Sequence, residues 1–245
     1  MFEIDYQISD FMSNCQMKNL TQKTMATYEA TLKLFARYLQ DNYIITDGKL
    51  VKDEMVKKYV LFILERGKYT VCANDSTKDK SRPYNRTDYK NKVSASTINN
   101  YLRNLKVFFD YLKEEKVIKK SPMNNVKYLK NGRKPVGFIT DDEFIRLLLL
   151  MDTSKYHEYR DYIVIQILFD TGMRIGECLM IDVCDVDVIK RSILLQEDNT
   201  KGRKSRYVFF SPKMQQDIKA WIKYKDRYVE SDFLFPTHRG SGLRG

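Results

Sequence analysis

Ile98, Tyr101, Leu102, Leu105, Phe108, Phe109 and Leu112 recur at steps of three and four residues. A strand would send alternate residues to opposite faces, whereas an α-helix gathers this set into one stripe. Ser94 or Ser96 stands where the N-cap of such a helix belongs. The same spacing occurs twice upstream. Met25, Tyr28, Leu32, Phe35 and Leu39 form a stripe opened by Thr21 or Thr24, and Met55, Tyr59, Phe62 and Ile63 form another that ends at Gly67. Each stripe is backed by lysines and arginines. An apolar stripe must bury itself against another element, so the first part of the chain is expected to be an all-α helical bundle over 1–118.

Two polar stretches interrupt the pattern. Residues 68–92, "KYTVCANDSTKDKSRPYNRTDYKNK", carry Lys78, Lys80, Arg82, Arg86, Lys90 and Lys92 without an apolar period, and read as a solvated surface loop. Residues 119–137, "KKSPMNNVKYLKNGRKPVG", hold Pro122, Gly132, Pro135 and Gly137 and read as a basic interdomain linker. Lys127, Lys130, Arg133 and Lys134 are placed to track a phosphate backbone.

Beyond the linker the pattern changes to mixed α+β over 138–245. Thr140 and Glu143 form a capping box, opening a helix expected to bury Phe144, Leu147, Leu148 and Met151. The apolar run 162–169 reads as a central helix, closed by Gly172 and followed by a short helix near 174–180. Ser192–Gln196 and Ser205–Phe210 read as an antiparallel hairpin. Ser211 and Pro212 then open a helix that buries Met214, Ile218, Trp221 and Ile222.

Net charge is +11 over 245 residues, a balance that favours a polyanionic partner, nucleic acid first. No run approaches the roughly 18 apolar residues of a membrane span, and Met1-Phe2-Glu3-Ile4-Asp5 lacks the form of a signal peptide. Cys15, Cys72, Cys178 and Cys184 have no CxxC spacing, and only His157 and His238 could join them, so neither a metal site nor a disulfide framework is expected. Isolated thiols fit a reducing cytosol.

"DTGMRIGE", residues 170–177, is the stretch that carries chemistry. Arg174 follows an apolar helix by a few residues, and a guanidinium buried there would cost several kcal/mol unless an anion met it. "LFDTGMRIGECLMIDVCDVD" (168–187) resembles the first conserved box of the tyrosine recombinases, or phage integrase family. "TKGRKSRYVFFSP" (200–212) is similar to that family's β-hairpin, and residues 94–126 resemble the last helix and exit of its SAM-like core-binding domain. "DFLFPTHRGSG" (232–242) resembles the segment before its second box.

The resemblance implies a site-specific DNA recombinase that clamps duplex DNA in a C shape and works as a homo-tetramer. It implies cleavage and rejoining through a 3′-phosphotyrosyl link, with no cofactor, metal or ATP. Arg174 would be the first donor to the scissile phosphate, since bidentate arginine suits charge growing on non-bridging oxygens. Lys201 would protonate the leaving 5′ oxygen, with Lys204 the rival, a task for which a tunable amine suits better than guanidinium. Glu177, one helical turn from Arg174, would steady it.

The family's later His-x-x-Arg and nucleophilic tyrosine have no counterpart in 1–245. "HEYR" (157–160) has the spelling but precedes Arg174, and is expected to start the buried helix. His238-Arg239 lacks the spacing, and of 17 tyrosines the last, Tyr228, lies upstream of the nucleophile's place. The expectation is therefore a catalytic domain truncated before its second box, monomeric off DNA, that binds DNA without cleaving it. The alternative is a catalytically incomplete DNA-binding protein that keeps the integrase fold. Asp182, Asp185 and Asp187 lack the glycine and glutamate of a calcium loop and read as a solvated turn.

Overall fold

A computed structural model describes residues 3–71, 82–132, 135, 137–200, 202 and 204–243. The chain divides into two units, Met1–Pro135 and Val136–Gly245. Four α-helices are described in the first: α1 (Glu3–Met17), α2 (Gln22–Tyr43), α3 (Asp53–Arg66) and α4 (Ala95–Glu114). Of the alternative caps, Thr21 accepts the N–H of Thr24 and Ser94 that of Thr97, which satisfies donors that the first turn leaves open. Gly67 ends α3 at φ 77°, and a Cβ there would meet the Lys90 carbonyl at 2.5 Å, so both conformation and space require glycine.

The predicted stripes are the core. Phe35, Tyr59, Ile98, Leu105, Phe108 and Phe109 are all buried, joined by Ile4, Ile8, Phe11 and Cys15 of α1. The helix α1 was absent from the expectations above, although its buried residues lie at steps of four, three and four. Each such side chain contributes roughly 1.5–3 kcal/mol on burial. Polar groups in this core find partners: the Asn104 amide donates to Thr31 Oγ1 at 2.9 Å, and that of Gln7 to Asp47 at 2.8 Å.

Two stretches read as loose are partly held. The Lys68 N–H donates to the Asn91 carbonyl, that of Lys90 to the Lys68 carbonyl, and Arg86 lies 4.3 Å over the Tyr69 ring. Lys78 and Lys80 lie outside the described residues. The proposed linker begins as part of the helical unit: Ser121, Pro122 and Met123 are buried, and Val126 and Leu129 pack on its core. Asn99 of α4 clasps the backbone of Leu129 from both sides, at 2.9 and 2.8 Å. Proline and glycine mark where helix stops there, but apolar Met123, Val126 and Leu129 still seek a surface. Lys127 and Lys130 are exposed on this segment, while Arg133 and Lys134 lie outside the described residues.

The second unit contains α5 (Asp141–Leu149), α6 (Tyr156–Thr171), α7 (Ile175–Cys178) and α8 (Pro212–Lys225). Strands β1 (Val186–Asp187), β2 (Ser192–Leu195) and β3 (Arg206–Phe209) form an antiparallel sheet in the order β1-β2-β3. The short β1 adds an edge to the expected hairpin. Ile193 pairs with Val208 and Leu195 with Arg206, so β2 turns Ile193 and Leu195 into the core. Met214, Ile218 and Trp221 of α8 pack there with Ile163 and Ile167 of α6. Residues 232–234 run beside 181–183, with backbone bonds of 2.8 Å at Val183 and Leu234, and the Trp221 indole donates to the Leu234 carbonyl at 2.7 Å.

The helix α5 departs from expectation. Its capping box is present, but none of its residues is buried. Leu147 is 39% exposed and Leu149 79%, while Phe144 stacks on Phe169 at 4.1 Å between centroids. An amphipathic pattern states that a face seeks cover, and within the described residues that face is largely uncovered. Tyr228 lies just past the end of α8 and is exposed. No helix of the described residues is long and apolar enough to cross a membrane.

Candidate active site

The helix α6 ends where Gly172 adopts φ 67° and donates its N–H to the Leu168 carbonyl. Nothing lies near a Cβ at this position, so the requirement is the left-handed backbone alone. Extended backbone follows at Arg174, with φ −75° and ψ 144°. Met173 points into the core at 6% exposure, and Arg174 points outward with its side chain 63% exposed. The turn thus anchors one residue and presents the next.

The buried charge at this turn is not the arginine. Glu177 is 3% exposed and lies among polar partners that saturate it. Its Oε1 accepts Arg174 Nη1 at 2.9 Å and Arg206 Nη1 at 3.3 Å; its Oε2 accepts Arg206 Nη2 at 2.6 Å and the Arg174 backbone N–H at 3.1 Å. Arg206 chiefly holds the Glu177 carboxyl at about 2, its charged hydrogen bonds outweighing the desolvation that would raise it, with Arg174 adding to the effect. One carboxylate against two guanidiniums leaves the cluster net positive. Arg174 gives Glu177 only Nη1, and among the described residues its Nε–Nη2 edge meets no acceptor. That edge is the fork that grips a phosphate or carboxylate with two parallel bonds.

Arg206 was missed by the sequence reading. Its signal was the period of two along β3: Arg206 shares a face with half-buried Val208 and lies opposite buried Leu195, which turns its 40%-exposed side chain toward Glu177. Lys201 lies outside the described residues. Its neighbour Thr200 is 6% exposed; its hydroxyl donates to the Lys204 carbonyl at 3.0 Å and accepts the Lys204 N–H at 3.1 Å. Lys204 itself is exposed.

The other candidates separate from this cluster. His157 starts α6 on the surface, while Arg160 is held by Asp161 and the Pro236 carbonyl. His238 and Arg239 are exposed in a loop. Asp185 accepts the Gln196 amide at 2.7 Å and Asp187 the Lys190 N–H at 2.8 Å, so both aspartates brace turns. Cys15 and Cys178 are buried free thiols, that of Cys178 pushed up to about 12 by burial, and Cys184 is exposed.

Comparison with known proteins bears on the whole of this arrangement. The phage integrase family model matches residues 138–244. The tyrosine recombinase XerC of Bacillus subtilis is 26% identical over 222 residues, covering 86% of this chain and 70% of that protein. XerC of Listeria monocytogenes is 25% identical over 247 residues, covering 98% and 72%. Among solved structures, the Tn1549 transposon integrase in complex with a circular intermediate DNA superposes with a TM-score of 0.67 at 18% identity, over 99% of this chain and 74% of that one. Lambda integrase bound to a core site gives 0.64 at 12% identity, over 98% and 72%. With a helical unit, a three-stranded α+β unit and the arginine turn in place, the chain is similar to the tyrosine recombinases along most of its length, and its residues 138–244 match the phage integrase family.

Proposed function

We propose that the protein is a site-specific DNA recombinase that binds duplex DNA and cleaves and rejoins strands through a 3′-phosphotyrosyl intermediate. The observation that carries the chemistry is the open Nε–Nη2 edge of Arg174, presented by the Gly172 turn and steadied from behind by Glu177. A phosphate seated on that edge would have its non-bridging oxygens held by a fork that is set before DNA arrives, which is how arginine lowers the barrier as charge grows there. Lys201 then protonates the leaving 5′ oxygen, with Lys204 the alternative donor, and no metal or cofactor enters. No residue of 1–245 is assigned as the nucleophile.

The net charge of +11 supports duplex DNA as partner, and Lys127, Lys130, Arg133 and Lys134 are assigned to its backbone. Solved relatives support the same partner: XerH, at 21% identity and a TM-score of 0.61, was captured on its difH substrate. Assembly of four copies on DNA and action in the bacterial cytoplasm complete the reading.

The test is duplex binding by fluorescence anisotropy across a salt series. Binding should weaken linearly in log–log form, and Arg174→Ala should lower the slope by about one, the value of one lost phosphate contact. Salt-independent binding, or an Arg174→Ala variant with the parent slope, overturns the assignment.

A further inference from the structure

Arg206 has no role in the reading above, yet it makes the shortest contact in the cluster, 2.6 Å to Glu177 Oε2. We propose that Arg206 is a positioning residue: by occupying the inner carboxylate of Glu177 from β3, it restricts Arg174 to a single side-chain contact and so keeps the Nε–Nη2 edge of Arg174 open for a phosphate. The proposal rests on the reading of Arg174 as a phosphate donor.

The argument is one of saturation. An ionised carboxylate offers about four acceptor directions on two oxygens. Glu177 has four donors: two from Arg206, one from the Arg174 side chain and one from the Arg174 backbone. A second N–H of the Arg174 guanidinium therefore finds no acceptor there. The carboxylate has little freedom to turn away, being 3% exposed and fixed on the short α7 by the Arg174 N–H. Without Arg206, two acceptor directions on Glu177 fall vacant beside the 63%-exposed Arg174, whose preferred carboxylate geometry is bidentate. The fork would close on its own glutamate and become unavailable to DNA.

The position of Arg206 supports this role over direct contact with DNA. Both of its Nη atoms are committed to Glu177, so its bidentate edge is already shared, while Arg174 keeps its own whole. Arg206 also lies opposite Leu195 in the sheet. One ion pair thus ties the arginine turn to β3, 29 residues away. Arg206 is also the foremost reason that the Glu177 carboxyl stays ionised.

The experiment is the same salt series on random-sequence duplex DNA with Arg174→Ala, Arg206→Met, Arg206→Lys and the double variant Glu177→Gln/Arg206→Met, each checked for fold by circular dichroism. Arg206→Met should fall as Arg174→Ala does, by about one in salt slope. Arg206→Lys should be intermediate, because an ammonium neutralises Glu177 without forking it. The double variant should recover the parent slope, since removing the carboxylate's charge frees Arg174 again. A double variant that stays as low as Arg206→Met would mean that Arg206 itself meets DNA or only supports the fold, and would overturn the proposal. Should Arg206→Met fail to fold, Arg206→Lys decides: a reduced slope supports the proposal and a parent slope sinks it. If Arg174→Ala keeps the parent slope, the phosphate role of Arg174 fails and this proposal with it; if only Arg206→Met does, this proposal alone fails.

Discussion

Helices α4 and α5 are both sharply amphipathic, yet α4 buries seven of its residues and α5 none. The helix α4 lies against α1 and α2, whose stripes complement its own, and its apolar face is consumed. The helix α5 stacks Phe144 on Phe169 of α6, and leaves Ile145, Leu149 and Leu150 exposed. The two units also bury different kinds of polar group. Among fully buried polar residues, those of the first unit are neutral amides and hydroxyls, Gln7, Thr31, Asn104 and Ser121, whereas those of the second include the charges of Glu177 and Lys225. Neutral groups make a core insensitive to pH, whereas a buried carboxylate makes its unit answer to acid.

The largest effect should come from the consumed face. Phe108 is 0% exposed and lies edge-on to Phe11 and Phe109. Phe108→Ala should cost about 3–5 kcal/mol in urea unfolding, as the cavity adds to lost burial. A loss under about 1 kcal/mol would show that this core repacks freely, and the contrast with α5 would lose its force.

Next is the acid response. Glu177 has a folded pKa near 2, below its ordinary value of 4.5, so its stabilisation is present above pH 4.5 and drains as pH falls toward 2. Integrated, this is roughly 3 kcal/mol at most. Unfolding of the second unit followed by Trp221 fluorescence should therefore weaken over that window in the parent and less steeply in Glu177→Gln. Equal pH slopes in the two would remove the carboxylate as the cause.

The smallest effect belongs to the uncovered face. Leu149 is 79% exposed, and Leu149→Ser should change unfolding by no more than about 0.5 kcal/mol. A loss of 2 kcal/mol or more would mean that this face is covered in solution, and α5 would then resemble α4 after all.

Much of this was legible before any coordinates. The stripes of α2, α3 and α4, the Thr140–Glu143 box, the Ser211 cap and the Gly172 turn follow from spacing and cap chemistry, which are local. The helix α1 was equally legible in Ile4, Ile8, Phe11 and Cys15, and went unread. The extent of the linker was not legible, because Pro122 and Gly132 announce the end of a helix and say nothing of Asn99, which holds Leu129 from 30 residues away. Burial at the arginine turn was misread for the same reason. Arg174 sits beside an apolar run and looked like the expensive charge, while Glu177 looked like its helper.

The sequence by itself determined which segments are helices, where they stop, that a left-handed glycine precedes Arg174, and which family the chain resembles. These depend on periodicity, capping and backbone sterics, each decided within a few residues. Tertiary structure alone decided that Arg174 faces outward, that Glu177 is the buried charge, and that Arg206 makes its burial tolerable. An ion can be taken from water only where its partners converge, and these partners come from a turn and a strand 29 residues apart.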